Sequence, residues 1–185
     1  MPQIADDTVL ARNIRAVVMD VDGVFTNGFI GYGTGSEDEI KYFYARDGIG
    51  ISLLHNVGII TGIITGRKCK ANVQRLQGDL HIPYILQGNN FKERNMKEFC
   101  FQAGVKPEEC LYIGDDINDY LPMKMAGISA APADAEEPIL EIAMWVADRP
   151  GGRGAVRSIV NRLLKAKGLY EQAISKYVIS QEEKK

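Results

Sequence analysis

Two aspartates one residue apart, Asp20-Val21-Asp22-Gly23, close the apolar run Ala16-Val17-Val18-Met19, and no other feature constrains the fold of this chain as tightly. Side chains alternate faces along a strand, so residues i and i+2 point the same way. The sequence therefore predicts two carboxylates held side by side where a strand ends. Like charges that close are costly, and a divalent cation removes the cost. Mg²⁺ suits the position because it usually takes one or two protein carboxylates and leaves its other sites to water and phosphate oxygens. Carboxylates left exposed at a turn are the plainer alternative for these four residues.

Three later segments bear on the choice. Ile63-Ile64 leads into Thr65-Gly66-Arg67, where a hydroxyl and a backbone N–H opening a helix suit a phosphate oxygen. Lys92 follows Gly88-Asn89-Asn90-Phe91 and offers an ammonium. Leu111-Tyr112-Ile113 leads into Gly114-Asp115-Asp116-Ile117-Asn118-Asp119, an acidic turn able to complete a cation site. Singly, each has a plain reading: Thr65 an N-cap, Lys92 a solvated surface residue, the Asp115 cluster a helix start favoured by the macrodipole. In α/β sheets, however, ligands bind outside the carboxyl ends of the strands, and three of the four pieces follow apolar runs.

Short apolar runs at Ala16–Met19, Ile59–Ile64, Leu111–Ile113 and Ile128–Ala130, with further candidates at Tyr84–Leu86 and Trp145–Val146, alternate with helical patterns. That alternation predicts a doubly wound α/β fold with a mostly parallel sheet. Helices are expected at Ile49–Asn56, Lys70–Leu76, Lys92–Ala103, Tyr120–Ala126, Pro138–Ala143 and Gly154–Lys167. Gly28–Tyr32 and Ile40–Tyr44 flank the turn-rich Gly33-Thr34-Gly35-Ser36, which predicts a β-hairpin flap over about residues 28–44. Thr65 to Lys92 and Lys92 to Asp115 span about 27 and 23 residues, enough for one crossover helix each and too little for an inserted cap domain. A single domain of 185 residues is expected, its C-terminal loop and helix at about 150–178 and a fraying tail at Gln181–Lys185.

With a net charge of −2 and dispersed basic residues, the chain lacks the footprint of a nucleic-acid binder. Cys69, Cys100 and Cys110 fit neither a disulfide framework nor a zinc site. No run approaches a membrane span, and Met1–Asn13 is polar, so a soluble cytoplasmic protein is expected. Neither His55 nor His81 lies in a motif.

The ordered set resembles the haloacid dehalogenase superfamily over about residues 14–165. Asp20–Val24, Arg46-Asp47-Gly48-Ile49-Gly50, Ile64–Arg67 and Gly151-Gly152-Arg153-Gly154-Ala155-Val156-Arg157 look like its capless branch acting on ulosonic acid phosphates in lipopolysaccharide precursor synthesis. The resemblance implies Asp20 as nucleophile, Asp22 as general acid and base, Thr65 and Gly66 as phosphate binders, and Lys92 as charge stabiliser. It implies Mg²⁺ held by Asp20, Asp115 and the backbone carbonyl of Asp22, with Asp116 and Asp119 possible outer supports. It also implies a homotetramer whose C-terminal segment reaches a neighbour's site. Arg46, Arg67 and Arg153 are candidates to grip the substrate carboxylate bidentately. Arg67 and Arg153 favour an eight-carbon acid over the nine-carbon one, whose phosphatases typically carry Glu there. The alternatives are a non-catalytic assembly module, against which the intact set argues, and a phosphoacceptor receiver domain, which would not carry a second acid two residues after its aspartate.

Overall fold

A computed structural model describes residues 6–33 and 39–182. Six strands form one parallel sheet: β1 (Ala16–Met19), β4 (Ile60–Thr65), β5 (Tyr84–Gln87), β6 (Cys110–Ile113), β7 (Ile128–Ala131) and β8 (Trp145–Val146), in the spatial order β5-β4-β1-β6-β7-β8. The chain steps outward from β1 through β4 to β5, then returns to place β6 on the other side of β1. That reversal makes the gap above β1 and β6 the switch point at which open α/β sheets bind ligands.

Alternation along β1 divides the core between two layers. Val17 and Met19 pack with Ile63, Leu111 and Ile113 beneath α1 (Asp7–Ala11), α2 (Ala45–Asn56), α7 (Ala155–Ala166) and α8 (Tyr170–Glu182). Ala16 and Val18 pack with Ile64, Cys110 and Tyr112 against α4 (Lys92–Ala103), α5 (Tyr120–Met125) and α6 (Glu137–Ile142). All four β1 residues are fully buried, each larger side chain contributing about 1.5–3 kcal/mol of transfer free energy. By the same parity Asp20 belongs with Val18, on the α4 face. Its N–H still bonds Ile113 O at 3.0 Å, which extends the ladder by one residue.

The core strands lie within a residue or two of their expected positions. Four elements differ. The helix expected at Lys70–Leu76 is α3 (Lys70–Asn72) continuing as a π-helix over Val73–Asp79; hydrophobic periodicity does not distinguish the two windings. The expected flap pairs only over β2 (Gly31–Tyr32) and β3 (Glu39–Ile40), while Tyr42–Tyr44 run as irregular chain into α2. Of its expected turn, Gly33 is described and Thr34–Ser36 lie outside the described residues. α1 is unheralded by any apolar run and starts where the Asp6 carboxylate accepts the Thr8 N–H at 2.9 Å. α8 carries the chain to Glu182, where the sequence suggests a loose tail from Gln181. Among the described residues no helix is long and apolar enough to cross a membrane.

Candidate active site

Beyond Asp20 the backbone does not remain a strand. The N–H groups of Val24, Phe25 and Thr26 all turn back to Val21 O, and Gly23 takes a φ of +88°. A side chain there would be strained, and a Cβ would collide with the Asp115 carboxylate. This turn corrects the expected side-by-side pair, because Asp20 and Asp22 diverge and each meets its own lysine. Asp20 Oδ2 lies 2.8 Å from Lys92 Nζ, and Asp22 takes Lys41 Nζ at 2.6 and 2.8 Å.

Lys92 has the plainest expectation and the most constrained position. Asn89 Oδ1 accepts the Phe91 N–H at 2.9 Å, a short Asx turn that starts α4 with its first side chain aimed at the sheet. The lysine is 1 % exposed rather than solvated. Its ammonium donates to Asp119 Oδ1 at 2.8 Å and Asn118 Oδ1 at 3.1 Å besides meeting Asp20. Asp119 also accepts from the Tyr112 hydroxyl at 2.7 Å and, more weakly, from the Asp115 N–H at 3.3 Å. Asp116 is different: exposed, it caps its own turn through the Ile117 N–H at 2.7 Å.

Asp20, Asp115 and Asp119 each offer an oxygen, all within 4.8 Å of one another. One buried lysine cannot neutralise three carboxylates. Burial, then Asp119, push the Asp20 carboxyl up to about 7 against the pull of Lys92. Burial, then Asp20 and Asp119, push Asp115 up to about 8. Lys92 opposes its own burial and is held above the ordinary lysine value by Asp20 and Asp119. Asp20 Oδ1 and Asp115 Oδ1 are buried without hydrogen-bond partners, whereas Asp119 is engaged by three groups. Two orphaned hard oxygens beside a surplus of negative charge fit a divalent cation such as Mg²⁺. The residues that suit the ion are therefore Asp20 and Asp115, with Asp119 compensating Lys92 and the Asp22 side chain turned elsewhere.

The carboxylates open into a cavity of about 720 Å³ that Thr65, Gly66, Arg67, Lys68 and Asn90 also line. Thr65, at the end of β4, accepts the Arg67 N–H through its hydroxyl at 3.4 Å. Gly66 lies under Asn90, whose side chain a Cβ would strike. Arg67 approaches Asp22 at 3.7 Å and donates to Glu39 at 3.0 Å. Arg46 and Arg153 are not brought here. Arg46 lines a separate cavity of about 780 Å³ with Arg149, Arg157 and Arg162. Arg153 is exposed on the glycine loop, whose Gly152 N–H bonds Val24 O at 3.0 Å. Sequence reasoning missed Glu39, Lys41 and Tyr112. The signal for the first two is period-two spacing around Ile40, which puts both on one side of the flap's return strand.

The family described as haloacid dehalogenase-like hydrolase matches residues 70–157. The 3-deoxy-D-manno-octulosonate 8-phosphate phosphatase KdsC of Escherichia coli K12 is 38% identical over 172 residues, covering 93% of this chain and 90% of its own. The Yersinia pestis phosphatase of the same name is 40% identical over 171 residues, 92% and 90% of the two chains. A crystal structure of the enzyme from Yersinia pestis superposes with a TM-score of 0.85 at 38% identity, covering 90% and 89% of the chains. That from Moraxella catarrhalis, in complex with magnesium ion, phosphate ion and KDO, gives 0.86 at 33% identity over 92% and 97%.

Proposed function

The chain belongs to the haloacid dehalogenase-like hydrolases, and from that premise we propose that it is an Mg²⁺-dependent phosphatase hydrolysing 3-deoxy-D-manno-octulosonate 8-phosphate to the free eight-carbon acid and phosphate. The carrying observation is the uncompensated carboxylate pair, Asp20 and Asp115, with two orphaned oxygens at the switch point.

Asp20 attacks phosphorus in line, and the P–O bond to the sugar breaks as an aspartyl-phosphate forms. Lys92, 2.8 Å from Asp20 Oδ2, steadies the carboxylate and places a cation beside the transferring group. The Thr65 hydroxyl and backbone N–H groups of the Gly66 turn receive phosphoryl oxygens. Asp22 gives its proton to the departing sugar oxygen, then takes one from the water that releases phosphate. Bound between Asp20, Asp115 and the backbone carbonyl of Asp22, Mg²⁺ would neutralise phosphoryl charge. Arg67 stands at the cavity rim as the group to grip the sugar's carboxylate, its Nη1 shared with Glu39.

We also assign the chain a homotetrameric, cytoplasmic state, with Arg153 serving a neighbour's site. Three buried free thiols suit a reducing compartment, and Phe29, Tyr32 and Tyr42, each more than three-quarters exposed around the flap, suit a partner surface. The test is phosphate release from a panel of sugar phosphates with and without Mg²⁺, alongside the solution mass. Activity that survives exhaustive chelation, or that ignores the eight-carbon acid, defeats the assignment; an active monomer defeats the shared site.

A further inference from the structure

We propose that Lys41, delivered by the flap, is a positioning residue that orients the Asp22 carboxylate for proton transfer, a role resting on the phosphatase reading above. Its side chain is fully buried, unusual for a lysine, and its ammonium straddles both Asp22 oxygens at 2.6 and 2.8 Å. Asp22 itself keeps 22 % of its side chain exposed and lines the cavity, whereas Lys41 does not. The lysine therefore holds the carboxylate from the covered side and leaves the open side to a substrate.

Three further contacts complete a ring. Glu39, two residues before Lys41, has Oε2 at 4.0 Å from the same ammonium and Oε1 at 3.0 Å from Arg67, and Arg67 returns to Asp22 at 3.7 Å. Acid and base alternate through Asp22, Lys41, Glu39 and Arg67. Without Lys41, Arg67 at 3.7 Å is the one cation left to Asp22 among the described residues, and that distance is too long for a hydrogen bond. The carboxylate would then rotate freely about its side-chain bonds. Proton donation to a sugar oxygen and proton removal from water both need one oxygen held at hydrogen-bond reach, so both half-reactions depend on this contact.

Leaving-group dependence separates positioning from simple support of the flap. A sugar alkoxide needs Asp22's proton as its P–O bond breaks, while p-nitrophenolate departs without one. Lys41→Met should lower kcat/KM for the sugar phosphate roughly tenfold to a hundredfold further than for p-nitrophenyl phosphate. Asp22→Asn should show the same selectivity, and adding Lys41→Met to Asp22→Asn should cost little more. Lys41→Arg, which keeps the charge but carries a wider planar head, should reproduce the pattern if Lys41→Met fails to fold. Equal losses on both substrates, or fully additive losses in the double variant, would overturn the role. Acid quench of Asp22→Asn turning over p-nitrophenyl phosphate, where loss of the base slows hydrolysis of the acyl phosphate, tests the underlying reading separately: no phosphoenzyme there removes Asp20 as nucleophile whatever Lys41 does.

Discussion

Two charge clusters sit side by side at the end of β1, and they are built on opposite terms. The inner one gathers Asp20, Asp115 and Asp119 around Lys92 on strand ends and the first turn of α4, all buried or half-buried, with negative charge in excess. The outer one alternates Asp22, Lys41, Glu39 and Arg67, two acids against two bases, and hangs partly on a hairpin of two paired residues per strand. An unbalanced cluster on a rigid frame holds its electrostatic cost until a cation and a phosphate arrive. The outer cluster balances its charge without an ion, although Glu39 Oε2 has no hydrogen-bond partner, so a ligand enters by competing with one of its members.

The largest expected effect falls on the inner cluster. Asp20→Asn should cut kcat by at least about 10⁴-fold with the fold retained, measured as phosphate release beside circular dichroism. Turnover near wild type would put the chemistry outside this cluster. Lys92→Met should follow, destabilising by about 3–5 kcal/mol in denaturant melts because it leaves buried carboxylates unpaired, and lowering kcat as well. A loss below 1 kcal/mol would mean that the cluster is not strained as described.

A third buried acid sharpens the contrast. Asp47 is fully buried; Oδ1 accepts the Arg157 N–H at 2.8 Å and Oδ2 has no partner, and burial pushes the carboxyl up to about 6. Because the folded value lies above the unfolded 3.8, the native state binds the extra proton. Asp47's contribution is then most favourable below about 4 and declines as pH rises to about 6, by at most about 3 kcal/mol. Asp47→Asn keeps an acceptor for Arg157 and should remove that part of the pH dependence in urea melts. Asp20 and Asp115 shift the same way and should add a fall extending to about pH 8 that Mg²⁺, not Asp47→Asn, abolishes. An unchanged profile in Asp47→Asn would refute the strain assigned to it.

The smallest effect belongs to the outer ring. Arg67→Ala should lower kcat/KM for the eight-carbon phosphate by about 2 kcal/mol, roughly thirtyfold, and spare p-nitrophenyl phosphate. Equal losses would return Arg67 to its pairing with Glu39.

Legibility in the sequence followed the same division. β1 and β6 are continuous apolar runs between polar turns, so Asp20 and Asp115 could be placed from pattern alone, as could the start of α4. The burial of Lys92 could not, because it depends on Asp119 and Tyr112 arriving from β6 and the turn beyond it. Lys41 was hidden for a related reason: its partner lies 19 residues away across a loop, where no periodicity operates. Arg46 illustrates the opposite error, since suitable chemistry drew attention to a side chain that the α2 start turns toward another cavity.

The strand order carries a consequence for synthesis. β1 leaves the ribosome early, yet its two neighbours are β4 and β6, the second of which begins at Cys110. Until then one edge of a wholly apolar four-residue strand waits without its partner, a segment suited to pairing with another chain. The acidic centre is finished later still, when Asp115 and Asp119 emerge, and the contact that joins α2 to α7 only when Arg157 reaches Asp47 across 110 residues. Fragments ending before residue 110 would therefore carry the strand that leads to Asp20 in its most aggregation-prone form, without the acids that complete its cluster.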